Sequence, residues 1–214
     1  MAVRLKITEI FHSIQGEGLT AGVPTVFVRL TGCPLRCSYC DTAYAFSGGE
    51  YLDLETILRQ VAAYATPHVT VTGGEPLVQA GCLPLLSALC DADHVVSLET
   101  SGALDVTPVD PRVVRVLDLK TPSSGECGRN LYSNLAQLRA ADQVKFVLAD
   151  RADYDWAVQT AAQYGIGQRA AVLFSPVHGA LEGAVLAQWM LDDRLPYRLQ
   201  LQLHKLLWGE EPGR

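Results

Sequence analysis

No apolar run in this sequence approaches the roughly eighteen residues that span a bilayer, and the opening MAVRLKITEIFHSIQ lacks the apolar core of a secretion signal. A cytoplasmic protein without a membrane partner is expected. Positive charge is also scarce: 17 Lys and Arg stand against 23 Asp and Glu, a formal charge of −6. Without a basic stripe to follow a phosphate backbone, direct recognition of nucleic acid is disfavoured, and a small-molecule partner is expected instead. Internal repeats, low-complexity tracts and long charge runs are absent too. The 214 residues, 49% of them hydrophobic, therefore read as one globular domain over 1–214, ending in a mobile tail at about 210–214.

Cysteine is present, and unevenly. Three of the six fall in LTGCPLRCSYCDT, at Cys33, Cys37 and Cys40, with the next only at Cys82. In a reducing compartment such a group points to metal or redox chemistry rather than to disulfides. A structural zinc site wants four protein ligands, and His68 and His94 are poor candidates for the fourth because each begins a predicted strand, away from the strand ends where loops gather. A four-iron cluster held by three thiolates keeps one iron open for a ligand, which suits the count better. Cys82 and Cys90 sit in an amphipathic segment as small hydrophobes, Cys127 lies in a loop, and none of the three is assigned a role.

Short β-branched or alternating stretches predict strands at Thr25–Leu30, His68–Gly73, His94–Thr100, Val113–Leu119, Gln143–Leu148, Ala171–Pro176 and Tyr197–His204. Helical faces fall at Leu54, Ile57, Leu58, Val61 and Ala65; at Leu85, Leu86 and Leu89; at Tyr154, Ala157, Val158 and Ala161; and at Leu181, Val185, Leu186, Trp189 and Met190. The alternation predicts an α/β fold with a largely parallel sheet, open or barrel-like, whose ligands gather at the carboxyl ends of the strands. The Gly-, Cys- and polar-rich segments follow strands, as that rule requires: TGCPLRCSYCDT, TGGEP, ETSG, DLKTPSSG and SPVHG. In TGGEP the glycines admit close backbone approach and the strand edge offers free carbonyls to an ammonium group, although a tight turn would use the same residues.

The spacing C-x3-C-x2-C, with Tyr39 before the last cysteine, resembles the cluster motif of the radical S-adenosylmethionine enzymes, and TGGEP resembles their glycine-rich strand end. With FHSIQGEG, VFVRLTGC, LETSG, DLKTPSSG and the late QLHKLLWG, nearly the whole chain is similar to the 7-carboxy-7-deazaguanine synthase family. That resemblance implies a homodimer on a modified, incomplete radical-enzyme barrel. It implies conversion of 6-carboxy-5,6,7,8-tetrahydropterin to 7-carboxy-7-deazaguanine with loss of ammonia, in the deazapurine pathway that supplies queuosine. A [4Fe-4S] cluster, S-adenosylmethionine and Mg2+ would be the cofactors, with an external electron donor. The reduced cluster would cleave the sulfonium, the resulting adenosyl radical would take the hydrogen at C6, and the cofactor would be regenerated.

Position by position, the resemblance makes Cys33, Cys37 and Cys40 the cluster ligands and Thr42 a magnesium ligand, a role compatible with capping the next turn. It makes Arg29 the residue that grips the substrate carboxylate; strand alternation alone leaves open a solvent-facing arginine. Ile14, Gln15 and Gly16, with Glu17, Thr72 and His204, become substrate contacts, and the polar Gln15 and Glu17 suit a pterin edge. Gly74, Asp118, Leu119, Lys120, Ser175, Pro176, Val177 and His178 become contacts to S-adenosylmethionine, although Asp118 and Lys120 could equally be a strand-end ion pair and His204–Lys205 an exposed strand end. Two rivals remain on the residues alone. A glycyl-radical activase would share the cysteine spacing but gives no reason for SIQGEG, and a zinc or iron–sulfur interaction module would neither bind nor split S-adenosylmethionine.

Overall fold

The computed structural model describes residues 3–209, 211 and 213, so most of the expected mobile tail lies outside the described residues. Among the described residues nine strands form one open sheet in the order β3-β1-β2-β4-β5-β6-β7-β8-β9. They are β1 (Arg4–Ile14), β2 (Pro24–Leu30), β3 (Glu50–Asp53), β4 (His68–Gly73), β5 (Val95–Thr100), β6 (Val114–Asp118), β7 (Gln143–Leu148), β8 (Ala171–Pro176) and β9 (Arg198–Leu199). From β2 through β9 every neighbouring pair is parallel; only the β1 pairings, with β2 and with β3, are antiparallel. The chain order leaves β3 and β9 as edges, so the expected α/β fold takes the form of a partial barrel.

Four helices cover the outer face: α1 (Leu54–Ala62), α2 (Cys82–Asp91), α3 (Arg151–Gln163) and α4 (Gly183–Asp192). Two start on aspartate caps, Asp53 accepting from the Thr56 amide at 2.7 Å and Asp150 from the Asp153 amide at 2.9 Å. Helix α1 stops short of the expected Ala65, which has a positive φ of 50°. Val185, expected on the buried face of α4, is 41% exposed, and Leu186 and Met190 are the helix's core contacts. The β5–β6 and β6–β7 connections carry no α-helix, and the latter runs as 3₁₀ turns that hold the DLKTPSSG segment near the cysteine loop.

Each strand's two-residue period divides the molecule into a helix-covered face and a concave face. Val26, Val28 and Leu30 of β2, Val69 and Val71 of β4, and Val96 and Leu98 of β5 pack with Ile57 and Val61 of α1 and Leu85, Leu86 and Leu89 of α2. Leu117, Val144, Phe146, Val172 and Phe174 pack in a second cluster with Tyr154, Ala157 and Ala161 of α3 and Leu186 of α4. The alternate residues Phe27, Arg29, Thr72, Glu99, Val116, Asp118, Lys145 and Val147 line the concave side. Cys82 and Cys90 belong to the first core, and burial pushes the Cys82 thiol up to about 12, which keeps it inert.

The predicted strand Tyr197–His204 is the main local departure. Only Arg198 and Leu199 pair with β8, and a short helix, α5 (Leu203–Trp208), begins just before His204. The Gln200 and Gln202 side chains bond Gly18 and Glu17 in the site instead of continuing a sheet pattern.

Candidate active site

The concave face opens into a cavity of about 490 Å³ at the carboxyl ends of the parallel strands. Cys33, Cys37 and Cys40 all line it from the loop after β2, and all are free thiols. That loop is held by its own turns and by the segment after β6. Arg36 binds the Cys33 carbonyl at 2.8 Å, the Cys40 amide turns back on the Cys37 carbonyl at 3.2 Å, and the Ser38 amide and hydroxyl bond the Ser124 and Ser123 carbonyls at 3.0 and 2.7 Å. Beneath it the Glu75 amide donates to the Gly32 carbonyl at 2.8 Å. A Cβ on Gly74 would sit 2.3 Å from the Gly32 oxygen and 2.8 Å from the Cys33 Cβ, and Gly73, at φ +146°, would press on Leu30. The glycines of TGGEP thus let the cysteine loop close onto β4.

Glu75 has 0% exposure and fixes the neighbouring motif: it accepts from the Thr100 hydroxyl at 2.9 Å, the Ser101 amide at 2.7 Å, the Ser101 hydroxyl at 2.5 Å and the Leu77 amide at 3.0 Å. GGEP and ETSG are therefore one hydrogen-bonded unit under the cysteine loop. Tyr39 reaches across to Thr121 at 3.1 Å and the Val147 carbonyl at 3.2 Å. Burial, with the charge of Asp118 adding to it, pushes its phenol up to about 12.

Three free thiols on one loop are a soft donor set of the right number for a four-iron cluster with an open corner. Burial raises the Cys33 and Cys37 thiols, and the nearby Lys120 ammonium acts in the opposite sense. Among the described residues no three His, Cys, Asp or Glu side chains converge on one metal ion; cluster ligands, each on a separate iron, have no need to. Asp118 supplies a second sign of fit. Its Oδ1 is buried without a hydrogen-bond partner, while Oδ2 pairs with Lys120 at 3.1 Å and Lys145 at 3.4 Å. An orphaned acceptor on a cavity wall is completed by a ligand that brings donors. The Asp118–Lys120 ion pair is thus real and leaves one carboxylate oxygen free for the cavity. Val177, His178 and Gly74 line the same space, whereas Leu119 is fully buried in the second core and Ser175 and Pro176 lie outside the cavity wall.

The other half of the cavity is built from the N-terminal motif. Ile14, Gln15, Gly16 and Glu17 line it with Arg29, Thr72 and His204. Arg29 is on the concave face with its side chain 15% exposed, and its Nε binds Glu9 at 2.7 Å. Gln15 is spent internally: its amide donates to Thr70 at 3.1 Å and Glu99 at 3.4 Å and accepts from the Glu17 amide at 3.1 Å. Thr72 donates to the other oxygen of Glu99 at 2.9 Å. Glu17 binds Lys145 at 2.6 Å, Gln202 at 2.9 Å and Gln200 at 3.2 Å. Burial would raise Glu17, but Lys145 and Gln202 hold it below the ordinary carboxylate range. Glu99, equally buried and facing the Glu17 charge, is raised instead.

Gly16 joins the two ends of the chain. Its carbonyl accepts from the Leu203 amide at 3.0 Å, and a Cβ there would fall 2.1 Å from Nδ1 of His204. Burial lowers His204, so the imidazole is neutral at pH 7. Thr42 lines the cavity beside Cys40 and donates to Asp41 at 2.9 Å. Asp41 would be raised by burial, but Gln202 at 3.0 Å and Lys205 at 3.4 Å outweigh that and bring it to about 2.

Lys145, Glu99, Gln202 and Asp41 also line the wall and were not among the site residues expected from sequence. For Lys145 a signal existed: a lone cation inside the apolar strand QVKFVL demands buried partners.

An open, mostly parallel sheet with three free cysteines at its carboxyl end has the donor set and the placement that a radical S-adenosylmethionine enzyme requires. Residues 27–118, which run from β2 to the end of β6, match the radical SAM superfamily. The relatives that match along the whole chain narrow this. The 7-carboxy-7-deazaguanine synthase of Chlorobaculum tepidum is 50% identical over 210 residues, covering 97% of this chain and 96% of its own, and that of Koribacter versatilis is 40% identical over 222 residues, covering 97% and 98%. The chain belongs to the 7-carboxy-7-deazaguanine synthase family. In fold it is similar to the crystal structure of QueE from Escherichia coli, with a TM-score of 0.78 over 94% of this chain and 95% of that one at 23% identity. A [4Fe-4S] cluster and S-adenosylmethionine are the cofactors that the radical SAM superfamily implies.

Proposed function

We propose that this chain is a 7-carboxy-7-deazaguanine synthase, converting 6-carboxy-5,6,7,8-tetrahydropterin to 7-carboxy-7-deazaguanine with release of ammonia. The observation that carries the reading is the meeting, in one cavity, of the three-cysteine loop with a cationic fork and an acid–amide wall drawn from both ends of the chain. Cys33, Cys37 and Cys40 would hold the cluster, and Asp118, Lys120 and Gly74 would meet S-adenosylmethionine. Together these cofactors would supply abstraction of a hydrogen atom from carbon.

The protein's own residues bind and orient. Arg29 grips the substrate carboxylate from the concave face, where low exposure strengthens a charge-assisted pair. Glu17 stays ionised, because Lys145 and Gln202 hold it there, and it accepts from the amino and amide edge of the pterin. His204, neutral at pH 7, can present a ring nitrogen to the same heterocycle without adding charge. Glu99, raised by burial and by Glu17, is the wall's most proton-retentive carboxylate and is suited to holding a proton beside the substrate. Thr42 would give its hydroxyl to Mg2+, with substrate and water completing the oxygen shell.

The wider reading is a cytoplasmic homodimer reduced by an external electron donor, acting on a free pterin without direct nucleic-acid contact. Exposed leucines along the β9–α5 edge, Leu199, Leu201, Leu206 and Leu207, support a self-contact there. Sedimentation of the parent beside Leu206→Glu tests it: a monomer only in the variant supports that face.

The test of function is anaerobic. The protein is reconstituted with iron and sulfide, reduced, and given S-adenosylmethionine, Mg2+ and 6-carboxytetrahydropterin, beside Cys37→Ala and Arg29→Ala. The parent forms 7-carboxy-7-deazaguanine; Cys37→Ala forms none, and Arg29→Ala needs much higher substrate. Cleavage of S-adenosylmethionine with the pterin left unchanged would sink the substrate assignment while leaving the radical chemistry.

A further inference from the structure

Arg29 is not free to swing in its cavity, and what holds it is Glu9, a residue two positions before the FHSIQGEG motif. Strand β1 pairs with β2 as Ile7 with Leu30 and then Glu9 with Arg29, so one extra residue is accommodated between the two pairs. Such a bulge re-aims the following side chain. The effect here is to set the Glu9 carboxylate directly against the arginine. Glu9 Oε1 accepts from Arg29 Nε at 2.7 Å and from the Tyr44 hydroxyl at 2.8 Å.

Rings hold the guanidinium as well. Its carbon lies 5.7 Å from the Phe11 ring centroid and 5.8 Å from that of Tyr44, and Phe11 is itself stacked on Phe27 at 5.0 Å. Arg29 lines the cavity, and among the described residues its two terminal nitrogens have no hydrogen-bond partner. A carboxylate can meet a guanidinium side-on, through Nε and one terminal nitrogen, or end-on, through both terminal nitrogens. With Nε taken by Glu9, only the end-on fork remains.

We propose that Glu9 is a positioning residue for substrate recognition: by occupying Nε it fixes Arg29 as an end-on fork for a planar carboxylate, and so sets the preference for a carboxylated heterocycle. This rests on the substrate reading above. A flexible arginine would lose side-chain freedom on binding; one already held by Glu9, Phe11 and Tyr44 has little left to lose, so affinity for the carboxylate rises through preorganisation.

The experiment compares two ligands on the anaerobically reconstituted protein with S-adenosylmethionine present: 7-carboxy-7-deazaguanine and 7-deazaguanine, the same ring without the carboxylate. Binding is read by calorimetry for the parent, Glu9→Ala and Glu9→Gln. A parent that does not prefer the carboxylated ring defeats the substrate reading, whatever Glu9 does. Given that preference, Glu9→Ala is expected to lose about tenfold in affinity for the carboxylated ring alone, the worth of one charge-assisted contact. Glu9→Gln keeps an acceptor in place and should return to within about threefold of the parent. Substrate KM should follow the same order with kcat held.

The proposal is overturned if Glu9→Ala binds both rings as the parent does, if it weakens both equally, or if Glu9→Gln falls as far as Ala. Should Glu9→Ala not fold, Tyr44→Phe removes the second donor to Glu9 from a residue 48% exposed. A loss of about twofold or more confined to the carboxylated ring supports the arrangement, and an unchanged preference refutes it.

Discussion

Adding one methyl group at Gly16 should undock the C-terminal helix from the active site. The Cβ of Gly16→Ala would lie 2.1 Å from Nδ1 of His204, 3.0 Å from its Cγ and 3.1 Å from its backbone nitrogen. Rotating the ring relieves the first two contacts but not the third, so the α5 backbone must shift and the 3.0 Å bond from the Leu203 amide to the Gly16 carbonyl stretches with it. Overpacking of this kind costs about 1–3 kcal/mol, or roughly 5- to 150-fold in the balance between docked and undocked helix. Against it stands the gain of about 0.4–1 kcal/mol that Ala brings over Gly through the unfolded chain. The two effects fall on different observables. The gain acts on global unfolding, whereas the clash is relieved by releasing α5 alone, a local opening. Hydrogen exchange of the Leu203–Trp208 segment should therefore accelerate by about tenfold or more, with the melting temperature nearly unmoved. Adding His204→Ala should restore part of the protection. Unchanged exchange in α5 together with a raised melting temperature would mean that Gly16 has room, and the steric argument would be wrong.

The charged wall gives further outcomes. Lys145→Met removes the cation 2.6 Å from Glu17 and 3.4 Å from Asp118, and stranding buried carboxylates should cost about 3–5 kcal/mol in urea unfolding; a loss below about 1 kcal/mol would show that water already screens the pair. Glu99→Gln should stabilise the protein at pH 7. A carboxylate raised by burial favours folding at low pH and loses that contribution as pH rises from its unfolded value near 4.5 through its folded one, so the Gln variant's advantage should shrink on acidification; a widening gap contradicts it. Glu75→Gln puts an amide among donors from Thr100, Ser101 and Leu77, and should lower stability by about 1–3 kcal/mol and slow cluster reconstitution, the latter read by visible absorbance.

Much of this site is legible in the sequence because its parts are loops at the ends of parallel strands, and such loops announce themselves by glycine, cysteine and proline. TGGEP, ETSG and DLKTPSSG can be placed one after another without knowing how the strands pair, and they do gather around Cys33, Cys37 and Cys40. Strand faces are harder. In β2 alternation separates Val26, Val28 and Leu30 from Thr25, Phe27 and Arg29, but it does not say whether the second face meets solvent or a cavity; in the fold that face lines the cavity and Arg29 meets Glu9 there. The same ambiguity misread QLQLH. Its alternation looks like a strand, yet Gln200 and Gln202 repeat at two-residue spacing because both reach Glu17, and the chain turns into α5 immediately afterwards. Least legible are the pairs that only register creates. Glu17 and Lys145 lie 128 residues apart, and neither neighbourhood names the other. What the sequence does carry is the demand: a lysine at the centre of QVKFVL cannot remain charged and unpartnered in a buried strand. A sheet whose concave face holds Arg29, Asp118 and Lys145 must therefore draw its counter-charges from that same face or from the segments that close it. Here Glu9 and Asp118 come from the strands, Glu17 comes from the loop after β1, and Gln200 and Gln202, next to α5, bind Glu17 in turn. That shared requirement ties both ends of the chain to the centre of the sheet, and it makes the site's electrostatics and its closure a single property.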